Sequence, residues 1–449
     1  MGSVLPPGVP DTEPGEPEPA EAAPEPAKPN TAGPKSTGPK VARPQWHRRH
    51  RKLLVWGSVS LVLLLIAVAG TGYLTLRHFN TNLEQDDITG LLGSQPVDTH
   101  PQAENIMILG SDSRQGLGRS YGTGLVTDQS DTLMIIHIPA SRKWAEVMSI
   151  PRDSEVNIPA CEMGDGQLSA PTQGKINEAF ALGNLDGNRT SLGVACTVKT
   201  LEQDTGIYIN HFVVVNFTGF KSMVAALGGV YECNPTAIND PNSKLHLSAG
   251  THLLTPVQAL GYVRARYTLG DGSDLERIGR QQAFMSSLVS RVQGKLLNPL
   301  AIYRFLDATT KSLTIDRQLG GITGLYDLGQ SLRGIPSSKI AFFTIPNELD
   351  PANTANVLWK QPEDTKIFAS FRNDVPASST LFGAPASKSV PLSADTPRLV
   401  SPSASAKPAA KSPAKSPAKS AKGARPAASR AGSNLTIAAR TANQSICAG

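Results

Sequence analysis

The stretch SDTLMIIHIPASRKWAEVMSIPRDS, residues 130–154, holds two short apolar runs, Thr132–Ile138 and Glu146–Ile150, each closed by proline and polar residues. Runs this short that are apolar almost throughout read as strands buried on both faces. NIMILG (Asn105–Gly110) and FVVVNF (Phe212–Phe217) repeat the pattern on either side. Helical spacing marks Ile176–Leu182, Phe220–Leu227, Thr255–Leu260 and Leu275–Val292. Strands interleaved with helices predict an α/β fold, a three-layer α/β/α sandwich around a central mixed sheet. Functional residues in such folds gather at strand ends. There the sequence places GSDSR (Gly110–Arg114) after one strand, Asp131 before the next, and Arg152 and Asp153 of PRDS after the third. Asp112 and Asp131 are candidate ligands for a magnesium ion, which one or two carboxylates hold while phosphates supply further oxygens. Taken alone, an aspartate at a strand end is more often a turn former or helix cap.

A second stretch, GYVRARYTLGDGSDLERIGRQQ (Gly261–Gln282), gathers four arginines around a glycine-rich turn. Arg264 and Arg266 fall two apart in a run with strand character, so a pleated strand would send both guanidinium groups from one face. Ser273 and Glu276 spell a capping box that starts a helix, on which Arg277, Arg280 and Gln281 share one side. Arginines converging from a strand end and a helix start suit a highly phosphorylated ligand, because their planar forks match phosphate oxygens. The plainer reading is a solvated basic surface with local pairs such as Glu276–Arg280.

Much of the 449-residue chain is not expected to fold. Residues 1–45 are mostly Pro, Glu, Ala and Gly, residues 386–449 mostly Ala, Ser, Pro and Lys, and neither segment can bury enough apolar surface to offset its chain entropy. The net charge of +6 is uneven: from Ala386 onward ten lysines and arginines face the single acid Asp395. A basic tail of this kind suits a polyanion. From Leu53 to Leu76 no residue is charged, a helix of about 36 Å that can cross a bilayer core of about 30 Å. Arg43, Arg48, Arg49, Arg51 and Lys52 precede it and Arg77 follows, which predicts a single-pass anchor in the cell membrane with a cytoplasmic N-terminus. The expected organisation is a disordered cytoplasmic segment 1–52, a transmembrane helix 53–76, a linker 77–103, an extracytoplasmic domain 104–372 and a disordered basic tail 373–449. This topology excludes nucleic acid as the tail's partner, and residues 1–52 offer no DNA-reading domain.

Cys161, Cys196, Cys233 and Cys447 all follow the span, where disulfides persist. No pair has the spacing of a zinc site. Four cysteines allow three connectivities, which sequence does not choose among. Cys161 with Cys196, tying a loop of the core, is favoured, and Cys447 with Cys233 would fasten the terminus back to the domain. His137 and His211 lie within strand-like runs and read as core histidines rather than as general bases.

In order and spacing, ENIMILGSDSR, SDTLMIIHI, SIPRDS, KINEAF, YINHFVVVNFTGF, LGGV and AGTHLLTPVQALGYVRARYTLGDGSDLERIGRQQ resemble the LytR-CpsA-Psr family, over about residues 104–370. The resemblance implies an extracytoplasmic phosphotransferase that moves a glycopolymer from a polyprenyl-diphosphate lipid carrier to peptidoglycan through a phosphodiester. It also implies an apolar pocket for the prenyl chain behind an arginine-lined mouth. Carried onto this chain, it assigns Arg152, Arg264, Arg266, Arg277, Arg280 and Gln281 to the diphosphate and Asp112 and Asp131 to magnesium. Asp131, Arg152 and Arg277 are the candidate catalytic residues. Gln129 stands where the family usually has arginine, and Arg114 or Arg119 would have to supply that charge. A lipid diphosphatase would use the same site with water as acceptor, whereas a wall-polymer binding module would need the arginines but neither aspartate.

Overall fold

The structure is a computed structural model and describes residues 46–111, 130–185, 189–265, 274–295, 298–377 and 440–441. The chain divides into two units, Met1–Val68 and Ala69–Gly449. Helix α1 (Trp46–Asn82) is followed by β1 (Glu84–Asp86), α2 (Thr89–Leu92), β2 (Glu104–Ser111), β3 (Ser130–Ile138) and β4 (Ala145–Ile150). A ribbon of β5 (Glu155–Ile158) and β6 (Thr172–Lys175) leads into α3 (Ile176–Gly183), α4 (Thr190–Thr205), β7 (His211–Asn216) and α5 (Phe217–Ala226). The short strands β8 (Val230–Asn234), β9 (Ile238–Asp240), β10 (Leu245–Leu247) and β11 (Gly250–Leu254) precede α6 (Pro256–Arg264) and α7 (Asp274–Lys295). Then come α8 (Pro299–Thr310), β12 (Leu313–Asp316), α9 (Gly321–Arg333), β13 (Ile340–Thr344), β14 (Asn347–Leu349), β15 (Val357–Trp359), α10 (Glu363–Arg372) and β16 (Arg440–Thr441).

The central sheet has the order β1-β12-β7-β2-β3-β4-β13-β16. β7 and β2 are parallel, as are β4 and β13, while β3 runs antiparallel between β2 and β4. Alternate residues feed opposite faces. Met107, Leu109, Leu133, Ile135 and Met148 join a core completed by α3, α4 and α10. Ile106, Met134, Val147 and Phe342 join the other, which Leu325, Leu328 and Leu332 of α9 and Met285 and Val289 of α7 cover. Strands apolar at every position are thereby explained, and the fold is the expected three-layer sandwich. One end of the sheet collects the last residues of β2, β4, β7 and β13 and the first of β3.

Two expectations about the ends of the domain are corrected, and the expected spanning helix lies within a longer one. Residues 77–103 are not a linker: Phe79, Leu83, Ile88 and Leu92 are buried, and β1 pairs with β12 in the central sheet. Their apolar spacing finds cover within the domain, so ordering them is offset by burial. The helix expected over 53–76 runs from Trp46 to Asn82, and its stretch His50–Asn82 is long and apolar enough to cross a membrane. At the C-terminal side the domain continues past 372, with Ala377 donating its N–H to Glu146 Oε2 at 2.9 Å. Arg440 and Thr441 then pair antiparallel with Phe342 and Ala341, so the segment 373–449 is not wholly a free tail. Cys161 and Cys196 form the expected disulfide, and Cys233 is disulfide-bonded too. Its expected partner, Cys447, lies outside the described residues.

Candidate functional site

The antiparallel register of β3 and β4 sets Leu133 opposite Ile150, so two residues further out Asp131 and Arg152 face each other at the sheet's end. Arg152 Nη1 lies 2.6 Å from Asp131 Oδ1. Arg152 Nε is 3.7 Å from Asp153 Oδ2, and Asp153 Oδ1 in turn takes Lys175 Nζ at 2.9 Å. Lys175 is also tied to the Ala355 carbonyl at 3.0 Å. The result is a row of alternating charge, Asp131–Arg152–Asp153–Lys175, along the carboxyl ends of β4 and β6. Each cation is held between acceptors, which keeps a flexible side chain in place.

The arginine-rich stretch approaches from the other face. Arg264 is not on a strand: it is the last residue of α6, and Arg266 lies outside the described residues. The local reason is a capping box, in which Thr255 accepts from the Gln258 N–H and Gln258 reaches back to the Thr255 N–H, with Pro256 opening the helix. Buried Ala259, Leu260 and Tyr262 then carry the helix through Val263, against the strand preference of the Tyr-Val pair. The Arg264 guanidinium sits over the ring of Phe217, 4.6 Å from its centroid, at the end of β7. Arg277 is buried and Nη2 donates to the Asp131 carbonyl at 3.0 Å. Gln281 Nε2 donates to Thr132 Oγ1 at 3.0 Å and to the Val263 carbonyl at 3.2 Å, and Arg280 Nη2 donates to the Ala265 carbonyl. Burial pushes the Arg280 guanidinium below its ordinary value, an effect opposed by Tyr262, Glu276 and Asp240. Asp131 is thus gripped twice, by Arg152 at the carboxylate and by Arg277 at the main chain.

Four of the expected residues, Asp131, Arg152, Arg277 and Gln281, meet at this end of the sheet; Arg264 and Arg280 are tied in through Phe217 and Ala265. Asp112, Arg114, Arg119, Gln129 and Arg266 lie outside the described residues. Among the described residues no three His, Cys, Asp or Glu side chains gather into a metal-binding group. Sequence reasoning missed Gln282, which is fully buried and donates to Ser149 Oγ at 3.0 Å and Thr344 Oγ1 at 3.1 Å, fastening α7 to the ends of β4 and β13. Its Oε1, and Ser130 Oγ beside Asp131, are buried without a hydrogen-bond partner among the described residues. The signal lies in the doubled glutamine: one step on a helix turns the second amide about 100° from the first, toward the sheet.

The histidines are elsewhere. His137 is buried between Asn105 Oδ1 at 2.7 Å and Asp374 Oδ1 at 3.0 Å, and lies six strand residues, about 20 Å, from Asp131. His211 Nδ1 is 3.0 Å from Asp316 Oδ2, at the opposite end of β7 from Phe217. A small polar cavity of about 30 Å³ lies beside this pair, bordered also by Asp86, Tyr208 and Arg317, away from the arginines.

The model of the LytR_cpsA_psr family matches residues 72–373. The chain is 32% identical over 280 residues to a Corynebacterium glutamicum protein named "Probable cell wall biosynthesis protein LcpB", covering 60% of this chain and 61% of that one. It is 27% identical over 349 residues to the polyisoprenyl-teichoic acid–peptidoglycan teichoic acid transferase TagT of Bacillus subtilis, covering 74% of this chain and 98% of that one. A solved LytR-Csp2A-Psr enzyme from Actinomyces oris superposes with a TM-score of 0.47 at 21% identity, over 64% of this chain and 95% of that one. The chain spans about three fifths of the length of the two Corynebacterium relatives it matches, 61% of LcpB and 60% of LcpA.

Proposed function

The chain belongs to the LytR-CpsA-Psr family, and we propose that it is a membrane-anchored, extracytoplasmic phosphotransferase that moves a glycopolymer from a polyprenyl-diphosphate carrier to peptidoglycan. The observation that carries this reading is the convergence of Arg152 and Arg277 on Asp131 at one end of the sheet, with Arg264 over Phe217 at the same end. The name of TagT supports the kind of donor and acceptor. α1, with its excess of basic residues on the amino side, supports an anchor with the domain outside.

In the proposed reaction a peptidoglycan hydroxyl attacks the phosphorus that bears the glycan. The new P–O bond forms as the bond to the bridging diphosphate oxygen breaks, polyprenyl phosphate leaves, and the hydroxyl proton passes to a nearby base, with Asp131 and Asp112 as the candidates. Arg152, Arg264 and Arg277, together with Arg266, neutralise the non-bridging oxygens and the leaving phosphate. Gln281 holds α7 and the end of α6 against β3, so Arg264 and Arg277 are held in place before substrate arrives. Arg280 supports the same turn through Ala265.

For the proposed magnesium ion Asp131 would offer one partly exposed hard oxygen ligand, and Asp112 is the proposed second. Bound there with the diphosphate, the ion would add positive charge against the non-bridging oxygens. Arg152 now occupies Asp131 Oδ1, so the guanidinium is placed to exchange the carboxylate for a phosphate oxygen. An apolar tunnel for the prenyl chain is proposed beside Arg264 and Arg277, since leaving that chain in water costs about 0.8 kcal/mol per methylene.

The test is product analysis with the full-length protein, a lipid-linked donor and peptidoglycan, with and without magnesium. Polymer joined to peptidoglycan together with free polyprenyl monophosphate is the expected outcome, lost on chelation and in Asp131→Asn. Hydrolysis without transfer identifies a diphosphatase, and tight binding without turnover a polymer-binding module; either result overturns the proposal.

A further inference from the structure

Helix α8, PLAIYRFLDATT, buries little of itself: among its described side chains only Thr310 is fully covered, while Leu300 is 58% and Tyr303 43% exposed. Leu300 and Tyr303 are three apart and share one side of the helix. An isolated exposed leucine needs no explanation, but an apolar helix face with an aromatic residue does. The neighbouring element is the end of α1. Phe79 of α1 is buried with its ring 5.3 Å from that of Tyr303, and His78 Nε2 is 3.0 Å from Asp307 Oδ1. Asn80 Oδ1 accepts the Ile322 N–H at 3.0 Å and Leu83 is buried, so the last turn of α1 is built into the domain.

This docking fixes a height. The uncharged run of α1 ends at Leu76, and Phe79 is three residues further on, about 4.5 Å along the helix. The polar interface of a bilayer is about 5–7 Å thick on each side of the hydrocarbon. Tyr303, touching Phe79, therefore stands at interface depth, and Leu300 is one turn away. Interfaces favour tyrosine, whose ring is apolar and whose hydroxyl stays wet. The charges agree: Arg77, Arg304 and Lys311 are exposed around the contact, and Asp307 is occupied by His78 and by Lys311 at 2.8 Å. Such cations meet anionic headgroups with their stems on the apolar side.

We propose that the exposed side of α8, Leu300 and Tyr303 flanked by Arg77 and Arg304, rests in the outer lipid–water interface of the bilayer that α1 spans. The surface is a second membrane contact besides the helix. It rests on the membrane-anchor reading given above.

The experiment uses full-length protein in phosphatidylethanolamine–phosphatidylglycerol vesicles, with a nitroxide on a single introduced cysteine at Leu300→Cys or Tyr303→Cys. Among the described residues no cysteine is free, and the unsubstituted chain labelled in parallel sets the background. Leu65→Cys in α1 serves as the bilayer reference and Tyr231→Cys on β8, 53% exposed, as the water reference. Collisions with oxygen and with an aqueous nickel chelate are compared. The expected result is an oxygen-to-nickel ratio at 300 and 303 several-fold above that at 231 and below that at 65. If 65 reports lipid while 300 and 303 match 231, the α8 contact alone is overturned; if 65 reports water, the anchor reading falls and this proposal with it.

Discussion

Asp131 and Arg152 are opposed across the β3–β4 register and joined at 2.6 Å, while Arg277 holds the carbonyl of the same aspartate from the other face of the sheet. One residue at a strand start is thereby the meeting point of two segments more than a hundred residues apart in the chain. That arrangement distinguishes arginines that build the site from arginines that only line it.

Arg264→Ala and Arg277→Ala are both expected to reduce transfer, by on the order of 2–4 kcal/mol of transition-state stabilisation. They differ in stability. Arg277 is 4% exposed and its loss leaves the Asp131 carbonyl without that donor, a cost of about 1–3 kcal/mol. Arg264 is half-buried over Phe217, and removing the stacking costs about 0.5–1 kcal/mol. Thermal melts alongside turnover check this: equal melting points, or either variant with normal turnover, contradict the assignment.

Glu202 is buried in α4, where Oε1 accepts from Gln95 Nε2 and from the Ile209 N–H, both at 3.0 Å. Burial raises its carboxyl above the ordinary value of 4.5, with these two bonds opposing. The folded chain therefore holds the proton more tightly than the unfolded one. The favourable contribution is full below about pH 4.5 and is lost as pH rises through the raised value. Glu202→Gln should gain melting temperature relative to the wild type at pH 7.5 and gain less at pH 5. An equal difference at both pH values would mean that Glu202 does not titrate in this range.

The Cys161–Cys196 bond spans 35 residues within the core that faces α3 and α4. Closing a loop of that length removes about 4 kcal/mol of unfolded-state entropy. Cys161→Ser, Cys196→Ser and the double variant should lose similar stability, measured by denaturant midpoint with unchanged slope. A double variant as stable as the wild type refutes a structural role for the bond.

Arg440 and Thr441 cover the outer edge of β13. Ending the chain at Ala377 should therefore quicken amide exchange in Ala341–Phe342 and leave β4 protected. The same truncation removes the basic segment and should weaken binding to anionic wall polymer, an interaction that fades with salt because exposed charges are screened beyond about 8 Å. Unchanged exchange in β13 would show that the strand pairing does not persist in solution.

The strands are legible because each is a short apolar run, and burial on both faces leaves no other solution for such a sequence. Helix α7 is legible from its periodicity, with Arg277 and Gln281 four apart on one side. Arg264 reads locally as a strand residue because the tyrosine and valine beside it favour strands, whereas the Thr255–Gln258 cap and the packing of Ala259, Leu260 and Tyr262 decide for helix. Residues 77–103 read as a linker for a similar reason: nothing local shows that Leu83 and Ile88 will be covered by elements that arrive much later in the chain. Residue chemistry and periodicity along the chain thus determined the α/β class, the helix long enough to span a membrane and the identity of the charged groups. Only the tertiary structure decided that Arg152 and Arg277 close on Asp131 from opposite faces, that Gln282 locks α7 to β4 and β13, and that α8 sits beside the end of α1. Each of these is a contact between segments distant in sequence, whose geometry is set by sheet register and helix packing rather than by any local pattern.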